Sequence, residues 1–113
     1  MDKAAFLKKN LVSAMKNYAD YLSGANLPKV DYSVLTDDQH LRYQLLAIGW
    51  DKSERVFSVI FHADIVGEHI WIQEDNSEEG LAALLLEKGI SPQDIVLAYY
   101  PEYHRQYTDF AVA

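Results

Sequence analysis

Cysteine is absent from the chain, which excludes a disulfide framework, thiolate chemistry and Cys-ligated zinc. That absence fits a reducing compartment. No stretch approaches the ~18 consecutive apolar residues of a membrane span, and the start, Met1-Asp2-Lys3, lacks the apolar core of a signal peptide. A cytoplasmic protein without membrane contact is expected. Basic residues are in deficit: 10 Lys and Arg stand against 17 Asp and Glu, a net charge of −7. The basic footprint of a phosphate-binding protein is missing, so direct nucleic-acid binding is not expected. Lys8, Lys9 and Lys16 sit together on one early segment, where they read as the solvated face of a helix. Prolines number only three and glycines five, placed as punctuation between elements and not gathered into a linker. No P-loop, dinucleotide glycine pattern or Gly-x-Ser-x-Gly occurs.

What is present is an apolar half of 113 residues, enough for one domain, 1–113, with its own core. From Asp2 to Leu22, Leu7, Leu11, Ala14, Tyr18 and Tyr21 recur at steps of four and three, the stripe of an amphipathic helix. Val12, Met15 and Leu22 widen it, and Ser23-Gly24 ends it with a glycine able to form a left-handed cap. Val30 to Thr36 alternates apolar and polar residues as a short edge strand does.

The stretch Leu41 to Glu74 reads as a three-stranded antiparallel meander. Its segments Leu41–Trp50, Arg55–Val66 and His69–Glu74 are rich in Tyr, Ile, Val, Phe and Trp, and turn at Lys52-Ser53 and Gly67-Glu68. Two-residue turns set Trp50 opposite Arg55, Ile48 opposite Phe57, Leu46 opposite Val59, Ile65 opposite Ile70 and Asp64 opposite Trp71. With strict alternation, one face then carries Leu46, Ile48, Phe57, Val59, Phe61, Ile65, Ile70 and Ile72 as core. The other carries Tyr43, Leu45, Ile60, His62, Asp64, Trp71 and Gln73, a mixed aromatic surface suited either to contact or to cover by the chain's own end.

Asn76 with Glu79 predicts a capping box for a second helix, with Leu81, Leu84 and Leu85 inward and Lys88-Gly89 at its end. Ser91-Pro92-Gln93-Asp94 reads as a turn or short helical start, and Ile95–Tyr100 as a brief strand stopped by Pro101. The terminal Phe110-Ala111-Val112-Ala113 is too apolar to hang free. The expected fold is therefore α+β: an antiparallel sheet of four to five strands with an N-terminal helix and a second helix packed on one face.

Chemistry is thinly represented. His62 and Asp64 share a strand face with His69 beyond them, but the level opposite His69 lies roughly 13 Å from His62 at the usual strand rise, too far for one metal. Arg105, between His104 and the tyrosines Tyr103 and Tyr107, can clamp an anion or serve as an interface anchor. The residues thus predict no cofactor, no metal and no catalytic group, and a candidate interaction surface of Tyr43, His62, Asp64, Trp71, Gln73, Tyr99, Tyr100, Arg105, Tyr107 and Phe110. A small-ligand binder or enzyme built on His62, Asp64 and Trp71 is the alternative.

Several segments in order resemble the XisI family: Tyr43-Gln44-Leu45-Leu46, Gly49-Trp50-Asp51, Asp64-Ile65, Ile70-Trp71-Ile72-Gln73, Glu78-Glu79-Gly80-Leu81-Ala82, Asp94-Ile95-Val96-Leu97, Arg105-Gln106-Tyr107-Thr108 and the Phe110–Ala113 end. Ala98-Tyr99-Tyr100 stands where the family pattern leads one to expect Gly-Phe-His or similar. The family is named for the fdxN-element excision controlling factor of cyanobacteria. The resemblance implies a role beside a recombinase in programmed DNA excision during heterocyst development; the acidic charge and the absence of catalytic constellations make that role a non-enzymatic one. It also implies a companion, XisH, similar to the nuclease-like fold of restriction enzymes, which such a protein would accompany or restrain. Self-association as a homodimer, or assembly as a heteromer, is expected from the half-apolar second face.

Overall fold

A computed structural model describes residues 2–24 and 27–112. The elements run α1 (Lys3–Ser23), β1 (Val30–Asp37), β2 (Arg42–Asp51), β3 (Glu54–Val66), β4 (His69–Asp75), α2 (Leu81–Glu87), a single 3-10 turn (Pro92–Asp94), β5 (Ile95–Leu97) and α3 (Glu102–Arg105). The five strands form one sheet in sequence order, antiparallel from β1 to β4, with β5 added parallel to β4. The helix between those last two strands supplies the crossover that a parallel neighbour needs. The expected α+β architecture is present, with β1 at the sheet edge.

Helix α1 forms because its apolar side chains recur with helical period. Leu7, Leu11, Ala14, Met15 and Tyr18 are buried along that stripe. Tyr21, expected to continue it, is exposed, since the stripe drifts away from the sheet in the last turn. Gly24 closes α1 with φ of −78°, a right-handed and not a left-handed cap. The left-handed glycine cap appears instead at Gly89, φ 89°, after α2.

Helix α2 starts later than the capping box predicts. The Asp75 carboxylate takes that role, accepting from the Ser77 and Leu81 backbone N–H groups, and the Ser77 hydroxyl accepts from Gly80 N–H. Glu79 is thereby free to reach α1, where it accepts the Tyr18 hydroxyl at 2.5 Å. Burial and this carboxylate together hold the Tyr18 phenol well above its ordinary pKa.

The meander keeps its predicted turns and its predicted pairs on both sides of them: Trp50 opposite Arg55, Ile48 opposite Phe57, Leu46 opposite Val59, Ile65 opposite Ile70. One irregularity overturns the face assignment. Leu46 pairs with Val59 but Leu45 with Phe61, so Ile60 is an extra residue in β3. A one-residue bulge reverses which side chains of the two strands share a face. Tyr43 and Leu45, expected on the second face, are fully buried in the core with Phe61, Ala63, Ile65, Ile70 and Ile72. Ile48 and Phe57, expected in the core, share the opposite face, where Phe57 is 64% exposed.

The bulge is held by Asn76. Its side-chain amide donates to the Val59 carbonyl at 2.8 Å and its backbone N–H to the Ile60 carbonyl at 2.8 Å. Groups that the ladder leaves unpaired are thus satisfied. A second irregularity lies opposite His62/Ala63, where Ala63 pairs with Ile72 and His62 with Glu74, leaving Gln73 as the extra residue.

Candidate functional site

Helices α1 and α2 cover the core face of the sheet. The other face, here called the outer face, has two unlike parts. Over β4 and β5 it is covered by the chain's own end. After Pro101, α3 brings the Arg105 guanidinium over the Trp71 ring at 5.2 Å, with Arg105 Nε donating to the Tyr100 carbonyl at 3.0 Å. The Thr108 hydroxyl donates back to the Arg105 carbonyl and accepts from Phe110 N–H, which sets the path of the last residues. Ala111 then donates to the Ile95 carbonyl at 2.8 Å and forms a parallel bridge with Val96, so the end docks along β5. Ala113 lies outside the described residues.

Beside that covered region lies a polar network. The ring nitrogens of His62 stand 2.9 Å from Gln44 Oε1 and 2.9 Å from Asp64 Oδ1. Gln73 donates to the second Asp64 oxygen at 3.2 Å, and Arg42 approaches the first at 3.8 Å. Gln73 reaches Asp64 from its bulged position, and Gln44 faces His62 only because Ile60 shifts the register. Sequence reasoning missed Gln44 and Arg42 for that reason. No group of three or more His, Cys, Asp or Glu side chains is placed to hold a metal among the described residues. The hollow beside His62, lined by Leu35, Thr36, Asp37, Arg42 and Gln44, measures about 170 Å³. That falls below the usual range of small-molecule sites, roughly 300–1,000 Å³.

Of the ten residues proposed from sequence, His62, Asp64, Trp71, Gln73 and Arg105 come together on this part of the outer face. Tyr99 and Tyr107 are exposed, Tyr107 at 80%, and Tyr103 joins them at 74%. Burial, with Tyr100 and Asp75 nearby, raises the Tyr99 pKa above its ordinary value. Three residues turn inward. Tyr43 is wholly buried, its hydroxyl donating to Asp38. Tyr100 packs on the core and stacks on His104 at 4.4 Å, and Phe110 packs on the core from the docked end. Burial and the Asp38 carboxylate push the Tyr43 phenol up to about 12.

Over β1, β2 and β3 no helix among the described residues covers the outer face. Leu35, Ile48, Trp50, Phe57 and Val59 lie there in varying exposure. Arg55 spans two of them, 5.5 Å from the Trp50 ring and 5.9 Å from the Phe57 ring.

The arrangement defines a two-layer α+β domain with α1 and α2 on one side of its sheet and, on the other, hydrogen-bonded polar groups beside exposed aromatic and arginine side chains. The chain belongs to the XisI family: the family model described as XisI protein matches residues 1–112. Among solved structures, a XisI-like protein from Anabaena variabilis ATCC 29413 is 28% identical, with a TM-score of 0.85 over 97% of this chain and 99% of that one. The fdxN element excision controlling factor XisI from the same organism is 31% identical, with a TM-score of 0.78 over 99% of this chain and 100% of that one. No curated protein matches the chain. No helix among the described residues is long and apolar enough to cross a membrane.

Proposed function

We propose that this protein is a non-enzymatic accessory factor in the control of DNA-element excision, acting by binding a protein partner of the XisH-like, nuclease-fold kind. The observation that carries the reading is the corner where Arg105 lies over Trp71 with Tyr99, Tyr103 and Tyr107 exposed in the same C-terminal stretch. Arginine and tyrosine are the side chains that dominate interface energetics. The adjoining His62 and Asp64 spend their polar atoms on Gln44, Gln73 and each other, which suits a rigid contact platform better than acid–base chemistry. The role in excision rests on the relative described as an excision controlling factor.

Titration calorimetry of this protein against an XisH-like protein tests the reading. Binding at micromolar concentration is expected, with Arg105→Ala and Tyr107→Ala each weakening it by about tenfold or more. No association at those concentrations overturns it, as does binding indifferent to both substitutions.

A further inference from the structure

The uncovered part of the outer face lies apart from the Arg105 corner, and the partner reading leaves it unused. Its apolar side chains Leu35, Ile48, Trp50, Phe57 and Val59 run across three strands around the buried Leu46, and no helix among the described residues lies above them. Eight residues of rise along three strands make a footprint of roughly 25 by 15 Å. With side-chain relief, two such faces bury on the order of 1,000 Å², the lower end for a specific interface.

Charge selects the occupant. The chain carries −7 overall, so two copies repel unless they meet where local charge cancels. Glu78, Glu79 and Glu87 line clefts beside α1, on the helical side of the sheet. The charged residues facing outward from the paired positions of β1–β3 are Asp31, Asp37 and Asp64 against Arg42 and Arg55, three negative and two positive, a net of −1. The lysines of α1 and Lys88 share that side with them. The outer face of β1–β3, nearly neutral and apolar at its centre, is a place where an acidic chain can meet itself.

The charges are also arranged for self-pairing. Asp31 lies in β1 opposite Ile48, and Ile48 lies opposite Phe57, so Asp31 and Arg55 sit at the same end of the sheet on its two flanking strands. A twofold axis along β2 lays β1 of one copy over β3 of the other. Asp31 of each copy then faces Arg55 of its neighbour, twice per dimer, while Ile48 meets its own image above the buried Leu46. Packed sheets stand about 10 Å apart, a gap that opposed Arg and Asp side chains span at the rim.

We infer that the outer face of β1, β2 and β3 joins two copies of this chain face to face about a twofold axis along β2. The inference does not depend on the companion protein, and its test uses the full chain alone. In sedimentation equilibrium between about 1 and 100 µM, the 12.9 kDa chain is expected at twice its mass. Asp31→Arg and Arg55→Asp, each folded by circular dichroism, are expected to be monomers. Mixing the two variants is expected to restore a dimer, because each then offers the charge the other needs. Phe57→Glu, at an exposed position, is expected to weaken self-association by roughly 100-fold or more. A wild-type chain that stays monomeric across the range overturns the inference. A dimer indifferent to Phe57→Glu overturns it as well, as does a mixture of the two charge variants that remains monomeric.

Discussion

Phe61 and Phe57 are four residues apart in one strand, and simple alternation gives them the same environment. The extra residue between Val59 and Phe61 separates them: Phe61 is fully buried with its ring 5.1 Å from that of Tyr18, whereas Phe57 stands largely in solvent. Truncating a core phenylalanine costs about 3–5 kcal/mol through lost burial and the cavity left behind. An exposed one away from such features costs within about 0.5 kcal/mol. A domain of this size loses about 4 °C in melting temperature for each kcal/mol. Phe61→Ala should therefore lower the melting temperature by about 12–20 °C and Phe57→Ala by about 2 °C or less. The assay is thermal unfolding by far-UV circular dichroism at protein concentrations dilute enough to leave the chain monomeric, with urea melts to give free energies. Equal losses at the two positions would refute the bulge as the divider of the sheet faces. Repeating the melts at high concentration adds a second readout: the Phe57→Ala deficit should grow with concentration if the outer face self-associates.

Three further outcomes are expected. Gly49→Ala should destabilise by about 2–4 kcal/mol, because a Cβ there falls 2.0 Å from the Lys29 carbonyl oxygen at a φ of 152°; a urea midpoint within error of wild type would contradict it. Asp37 and Asp38 are held below the ordinary carboxylate range. His40 N–H and its ring act on the first, Lys8 and the Tyr43 hydroxyl on the second. The stability they add is complete above the unfolded carboxylate pKa and is lost as pH falls through the lower folded one, so an acid titration of the melting temperature should steepen below about pH 4, and less so in Asp38→Asn. Tyr43 has the opposite sign: its contribution is complete below about pH 10 and is lost as pH rises towards about 12, so Tyr43→Phe should flatten the alkaline limb.

Much of the fold was legible because its signals are local. The stripe Leu7–Leu11–Ala14–Tyr18 specifies α1 through side-chain period alone, and Lys52-Ser53 and Gly67-Glu68 fix the nearby pairs through turn length. The bulge was not legible because nothing in Val59-Ile60-Phe61 marks it. Its stabilising partner, Asn76, is more than a dozen residues away and reads locally as a helix cap. That one missing residue of register moved Tyr43 and Leu45 to the wrong face and hid the pairing of Gln44 with His62. The α2 cap failed for a related reason: Glu79 has a long-range partner in Tyr18, and Asp75 does the capping from outside the expected window. The Arg105 corner was half legible, its composition being plain and its seat on Trp71 requiring the fold.

The Asn76 clamp has a consequence for how substitutions are tolerated along β3. Downstream of Ile60 the buried Phe61, Ala63 and Ile65 alternate with more exposed positions; upstream, the core-side residues are Glu54, Val56 and Ser58, none of them fully buried. Saturation mutagenesis of the strand would trace this as alternating constraint after Ile60 and broad tolerance before it. Removing Ile60 would set Val59 beside Phe61 in plain alternation, still opposite Leu46 and Leu45, so both halves would keep their faces. Deleting that one codon should then cost the strand far less than deleting any of its neighbours, which would turn Phe61, Ala63 and Ile65 against the register.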